Sequence, residues 1–131
     1  MLKVHARGGS ELLTGDIEAA QEKALVSNEP AGGDGASRLR ADVLLVPHHG
    51  SNTSSTTDFL AAVAPRWAWV QAGYRNRYGH PTTAVMARYQ AQGITVLESV
   101  RCGAGRWRSA QPDQVHCERE AQARYWHHQV P

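Results

Sequence analysis

The sequence predicts an α/β fold: a mixed sheet with flanking helices and a C-terminal hairpin. Short apolar runs such as Val43-Leu44-Leu45-Val46 alternate with stretches of helix-forming composition, a rhythm that builds parallel strands with helical crossovers. Several of these runs open into loops rich in Gly, Pro and polar residues. In α/β layers such loops lie together along the C-terminal edge of the sheet, where chemistry is usually kept.

Residues 2–6 and 11–14 read as a hairpin closed by Arg7-Gly8-Gly9-Ser10, with the glycines supplying positive φ at the turn. Residues 17–27 read as a helix, favoured by Ala19, Ala20, Ala24 and Leu25, with Asp16 and Glu18 at the favourable end of its dipole. The Gly-rich stretch at 28–38 reads as a flexible loop. Asp42 to Val46 reads as a strand covered on both faces, because its apolar run is unbroken.

Past the His48-His49 loop, Ser54, Ser55 or Thr56 can cap a short helix running through Phe59, Leu60 and Val63 and stopping before Pro65. Residues 67–72 form the next strand. Thr82 or Thr83 then caps a helix through Val85, Met86 and Tyr89, with Gly93 as its C-terminal stop, and 94–98 return as a strand. The segments 99–110 and 115–120 read as a hairpin, and 121–131 as a tail holding Tyr125 and Trp126.

At 131 residues the chain supports one moderate core. A hydrophobic content of 41% and a mean hydropathy of −0.49 suit a globular chain, and no apolar run approaches the length of a membrane span. Met1 to His5 lacks a signal-peptide hydrophobic region and already alternates like a strand, so the chain is expected to be a piece of a longer protein. Charge is uneven: residues 1–65 hold five basic and eight acidic side chains, whereas 66–131 hold nine arginines, no lysine and four acids. An arginine-rich half suits phosphate contacts through the guanidinium fork, and suits a solubilising surface equally well. Cys102 and Cys117, on facing arms of the expected hairpin, fit either a disulfide or two buried thiols; a disulfide would imply an oxidising compartment.

The candidate chemistry lies in three loops. Pro47-His48-His49-Gly50-Ser51 follows a strand, and neighbouring imidazoles at such an exit point in different directions, so one can bind a ligand while the other moves a proton. Gly50 lets the backbone pass close to a ligand, and Ser51 can hold an oxyanion or serve a plain turn. Asp16, after Gly15, fits a helix cap as well as a cation ligand. His80 is set by the fixed ring of Pro81. Aspartate with neutral imidazole is the donor chemistry of zinc or manganese hydrolases, which activate water for attack on phosphodiesters.

Residues 12–18 (Leu-Leu-Thr-Gly-Asp-Ile-Glu), 41–51 (Ala-Asp-Val-Leu-Leu-Val-Pro-His-His-Gly-Ser) and 76–81 (Asn-Arg-Tyr-Gly-His-Pro) closely resemble the C-terminal metallo-β-lactamase-like domain of the ComEC family of bacterial competence proteins. The resemblance runs in order over residues 2–98, and the end of the chain around Arg124-Tyr125-Trp126 is also similar. It implies the C-terminal half of an αββα sandwich, in a membrane protein that takes up DNA and whose domain degrades the strand that is not imported. It also implies Asp16, His49 and His80 as metal positions, His48 and His49 as the histidine pair, and zinc or manganese as the metal of the complete domain.

One departure from that family stands out. Residues 1–15 hold no His-x-His-x-Asp-His cluster, so this chain on its own is expected to be metal-free and inactive, and to associate with another copy through the face its missing half would cover. The resemblance places the parent in the inner membrane with this domain on the periplasmic side. A competing reading is a non-enzymatic module in which Arg75, Arg77, Arg101, Arg106 and Arg108 hold single-stranded DNA, with Trp67, Trp69 and Tyr74 adding stacking. Packing is the other use open to the tryptophans.

Overall fold

The computed structural model describes residues 1–29 and 37–126. Its main sheet has five strands in chain order, β1 (Leu2–Ala6), β2 (Gly9–Leu13), β3 (Val43–Leu45), β4 (Trp67–Val70) and β5 (Thr95–Glu98). The first pair is antiparallel and all later pairs are parallel, so the sheet is mixed. Pairing of Leu2 with Leu13 and of Ala6 with Gly9 leaves Arg7-Gly8 as the turn.

Helices α1 (Ala19–Ser27), α2 (Thr57–Val63) and α3 (Thr83–Ala91) form the crossovers between the parallel strands. Because the strands advance in one direction across the sheet, the right-handed crossover rule sends every helix to the same face. Leu12, Leu44, Ala68 and Val70 from the strands accordingly share one core with Phe59, Leu60, Val63, Val85 and Tyr89 from the helices. Ala64 ends α2 in the left-handed region just before Pro65, and Thr82 caps α3 by accepting the Val85 N–H at 3.4 Å.

The opposite sheet face receives a second, two-stranded sheet, β6 (Gly105–Trp107) with β7 (Val115–Cys117). These strands are shorter than the expected hairpin. Its outer residues instead form single helical turns, α4 (Ser99–Cys102) and α5 (Glu118–Ala121), because the chain must turn sharply between the sheet edge and the hairpin. Gly105 lies flat against the Trp69 ring, where a Cβ would come within 2.8 Å. Trp67 and Trp107 both donate their indole N–H to the Pro112 carbonyl, at 3.0 and 3.2 Å. These tryptophans are therefore packing residues that glue the hairpin to the sheet.

Cys102 and Cys117 are joined by a disulfide that ties α4 to the end of β7. Serine at both positions is expected to lower stability by about 3 kcal/mol, the loop-closure value for a separation of 15 residues. The check is a urea unfolding curve of the double variant against the oxidised protein; midpoints that coincide would show that the bridge contributes nothing.

Most of the expected loop at 28–38 and the end of the tail, residues 127–131 with His127 and His128, lie outside the described residues. Tyr125 and Trp126 are exposed and meet each other edge to face. Among the described residues no helix is long and apolar enough to cross a membrane.

Candidate active site

Strands β2, β3 and β4 run parallel, so their C-terminal ends open on the same edge and bring three distant loops together. Thr14, buried at the end of β2, donates its hydroxyl to the Leu45 carbonyl at 2.7 Å, and the His48 N–H donates to the Gly15 carbonyl at 3.1 Å. These bonds pin the Asp16 loop to the His48-His49 loop. The third loop is tied in by the Thr82 N–H, which donates to the Gly50 carbonyl at 3.0 Å.

Both histidines of the pair adopt left-handed backbone, with φ of 48° at His48 and 55° at His49, inside a 3₁₀ turn over Pro47–Gly50. Such φ values cost energy in a residue with a Cβ and persist only where surroundings enforce them. Ser54 and Arg88 supply that enforcement. The fully buried Ser54 hydroxyl lies 2.9 Å from the carbonyls of both Pro47 and Ser51, and the Arg88 guanidinium donates to the Ser54 carbonyl at 2.8 Å.

The pair then splits its two side chains. His49 Nδ1 lies 2.6 Å from the Gln71 carbonyl; a carbonyl only accepts, so Nδ1 carries a proton and Nε2 is the ring nitrogen left facing outward. That nitrogen faces Asp16 Oδ1 at 3.7 Å. A histidine whose second nitrogen is held by a carbonyl in this way is oriented as metal-ligating histidines are.

His48 turns the other way. Its buried Nδ1 lies 3.1 Å from Glu18 Oε1 without hydrogen-bond alignment. Glu18 Oε1 also accepts the Thr53 hydroxyl at 2.9 Å. The His48 ring meets the His80 ring edge to face at 6.2 Å, and His80 stacks on Tyr78 at 5.8 Å. Asn76 holds the His80 backbone from both sides, its carbonyl oxygen accepting the His80 N–H at 3.0 Å and its amide donating to the His80 carbonyl at 2.6 Å. Nδ1 of His80 is buried without a hydrogen-bond partner.

Asp16, His48, His49 and His80 thus come to one edge, together with Glu18, which sequence reasoning placed only at a helix end. Its signal was the spacing Asp16-x-Glu18 ahead of a helix, two acids on one loop. Ser51, a candidate for oxyanion contact, is turned into its own loop instead. It is buried, its hydroxyl pairs with that of Thr53 at 3.1 Å, and its N–H donates to the His48 carbonyl at 2.9 Å, so it shapes the turn.

The candidate arginines divide. Arg75 and Arg77 sit in the loop that carries His80. Arg106 and Arg108 lie on the hairpin, which packs across the other sheet face, and there Arg106 is paired with Glu118 at 2.8 Å. The turn beyond Arg108 lies beside Gly8 and the start of β4, at the sheet edge opposite the histidines.

Among the described residues no three His, Cys, Asp or Glu side chains converge as a metal site. Asp16 and His49 make a facing pair, and His80 lies edge to face against His48.

The fold and this edge define an α/β module with histidines and carboxylates gathered at the C-terminal ends of parallel strands. The chain is related to the ComEC family of bacterial competence proteins. It is 43% identical over 104 residues to competence protein ComA of Neisseria gonorrhoeae, covering 79% of this chain and 14% of that protein. It is 34% identical over 108 residues to ComE operon protein 3 of Bacillus subtilis, covering 82% of this chain and 13% of that one. Over 130 residues it is 35% identical to the uncharacterized protein YcaI of Escherichia coli, covering 98% of this chain and 16% of YcaI. The chain thus spans about one seventh of the length of these relatives. No protein-family model matches it.

Proposed function

We propose that this chain is the second half of a metallo-β-lactamase-type domain that hydrolyses phosphodiesters of single-stranded DNA during uptake of DNA across the inner membrane. The observation that carries the reading is His49, locked by the Gln71 carbonyl with Nε2 turned toward Asp16. A strained backbone that aims two histidines at an open sheet edge serves a site better than a core. In this reading Asp16 and His49 supply donors to a centre completed by residues outside the chain. His48, with Glu18 beside it, moves a proton to or from the substrate. The competence names of the relatives support DNA as the substrate.

The test places this sequence in the full-length N. gonorrhoeae relative in exchange for its matching segment. Cleavage of a labelled single-stranded oligonucleotide is then followed with zinc or manganese supplied. His49→Ala and His48→Ala are each expected to slow cleavage by roughly 100-fold or more. An intact, folded chimera that binds the oligonucleotide without cutting it would replace this reading with that of a binding module.

A further inference from the structure

The ladder between β4 and β5 stops at the pair Val70 and Glu98, because the chain leaves β5 directly into α4. Residues 71 and 72 continue beyond β4 with no strand paired to them. The Ser99 side chain takes the place of the missing strand. Its hydroxyl donates to the Ala72 carbonyl at 3.0 Å and accepts the Ala72 N–H at 3.2 Å, so one side chain satisfies both backbone groups of that residue. The residue before Ala72 is Gln71, whose carbonyl holds His49 Nδ1 at 2.6 Å.

Packing alone does not hold Gln71. A cavity of about 230 Å³ opens beside it, lined also by Trp69, Leu97, Ser99, Cys102 and Gly105. The lining of a void lacks contact partners on that side, which gives a strand end room to shift unless hydrogen bonds fix it. Ser99 in turn rides on a single helical turn, α4, which is too short to be stable by itself. The buried residue of α4 is Cys102, and it is bridged to Cys117 at the end of β7. Beside the bridge the Glu118 N–H donates to the Ala104 carbonyl at 2.9 Å. The disulfide therefore holds α4 in place, and with it Ser99.

We infer that Ser99 is a positioning residue for His49: through Ala72 it fixes the Gln71 carbonyl, and the Cys102–Cys117 bridge extends that control to the hairpin. Without the Ser99 hydroxyl, the Ala72 N–H and carbonyl turn to water and the Gln71 carbonyl moves off Nδ1. The proton of a neutral His49 is then free to sit on Nε2, the nitrogen that faces Asp16 Oδ1 at 3.7 Å. A ring in that tautomer donates to Asp16, so the two groups engage each other and neither is left to hold a ligand. The inference rests on the reading of His49 as a donor for its consequence, while its physical content is a set of hydrogen bonds within this chain.

The experiment is a long-range proton–nitrogen correlation spectrum of the isotope-labelled chain with a chelator present, at about pH 8.5, where a histidine of ordinary pKa is neutral. The ring of His49 is identified as the signal that His49→Gln removes, and it is expected to carry its proton on Nδ1. Ser99→Ala should shift that proton toward Nε2, so that the two ring nitrogen resonances converge or exchange order. Cys102→Ser combined with Cys117→Ser should shift it in the same direction. Ser99→Thr, which keeps the hydroxyl, should restore the parent pattern. Gln92→Ala removes a hydrogen bond to the Thr57 carbonyl, 3.0 Å long, on the end of α3 and should leave His49 unchanged. Thermal unfolding confirms that each variant is folded. A proton on Nε2 in the parent chain, an unmoved His49 in folded Ser99→Ala, or the same shift in Gln92→Ala would overturn the inference, and an unmoved His49 in the folded double serine variant would overturn the part assigned to the bridge. The measurement uses neither metal nor DNA, so its failure leaves the cleavage test of the chimera standing, and a chimera that fails to cut leaves this result standing.

Discussion

Replacing Glu22 with alanine is expected to lower the stability of the chain by about 3–5 kcal/mol, as charge-assisted hydrogen bonds of about 1.5–3 kcal/mol each are lost from a buried site. Glu22 is fully buried, and its two carboxylate oxygens accept the N–H groups of Ser55 at 2.6 Å and Thr56 at 2.7 Å. Thr56 is the N-cap of α2 but makes no side-chain cap of its own, so α1 caps α2 from across the core. The Ser55 hydroxyl in turn pairs with the Tyr89 hydroxyl at 3.1 Å. Burial pushes the Tyr89 phenol well up, the nearby Glu22 charge adds to this, and the Ser55 bond opposes it.

Glutamine at position 22 keeps the shape but offers one acceptor and one donor, so one N–H then faces a donor. Its cost should fall between those of the wild type and the alanine variant. Urea unfolding of the three proteins is the measurement, and a Glu22→Ala loss under about 1 kcal/mol would show that water reaches the freed N–H groups and substitutes for the carboxylate.

Gly50→Ala is expected to cost about 3 kcal/mol and to open the histidine edge. Gly50 has φ +85°, a conformation that costs a residue with a Cβ about 1–2 kcal/mol. The added Cβ would lie 2.6 Å from Pro81 Cβ and 2.9 Å from Pro81 Cα, and overpacking of this kind adds about 1–3 kcal/mol. Relief requires the His80-Pro81 loop to move away, which breaks the bond from Thr82 N–H to the Gly50 carbonyl and parts the His48 and His80 rings. Gly93→Ala is the comparison, since Gly93 has φ +68° and nothing within 4 Å of its would-be Cβ. It isolates the backbone cost. Melting temperatures of the two variants, together with histidine ring proton shifts, should show a larger loss and a displaced His80 only for Gly50→Ala.

Much of the fold is written in local pattern. The apolar run at 43–46, the capping threonine at 82 and the proline at 65 each act on neighbours within a few residues, and the corresponding strand and helix ends fall close to the expected places. The hairpin that alternation predicts over 99–120 is longer than the one that forms, because its ends are decided by contacts with the sheet. Glu22 was unreadable as a cap. A glutamate on a short helix ordinarily faces water, and its partners lie 33 and 34 residues away.

The candidate site shows the same division. The sequence by itself determined which loops leave strand ends and which of them carry histidine or acid, since strand periodicity and turn chemistry are short-range. Only the tertiary structure decided that the tandem histidines share a left-handed turn, that His49 faces Asp16 while His48 faces Glu18, and that Arg75 and Arg77 stay with the His80 loop while Arg106 pairs with Glu118 on the hairpin. Those outcomes follow from parallel strand order and from hydrogen bonds between segments about thirty residues apart. Packing sets such pairings, and no local rule encodes them.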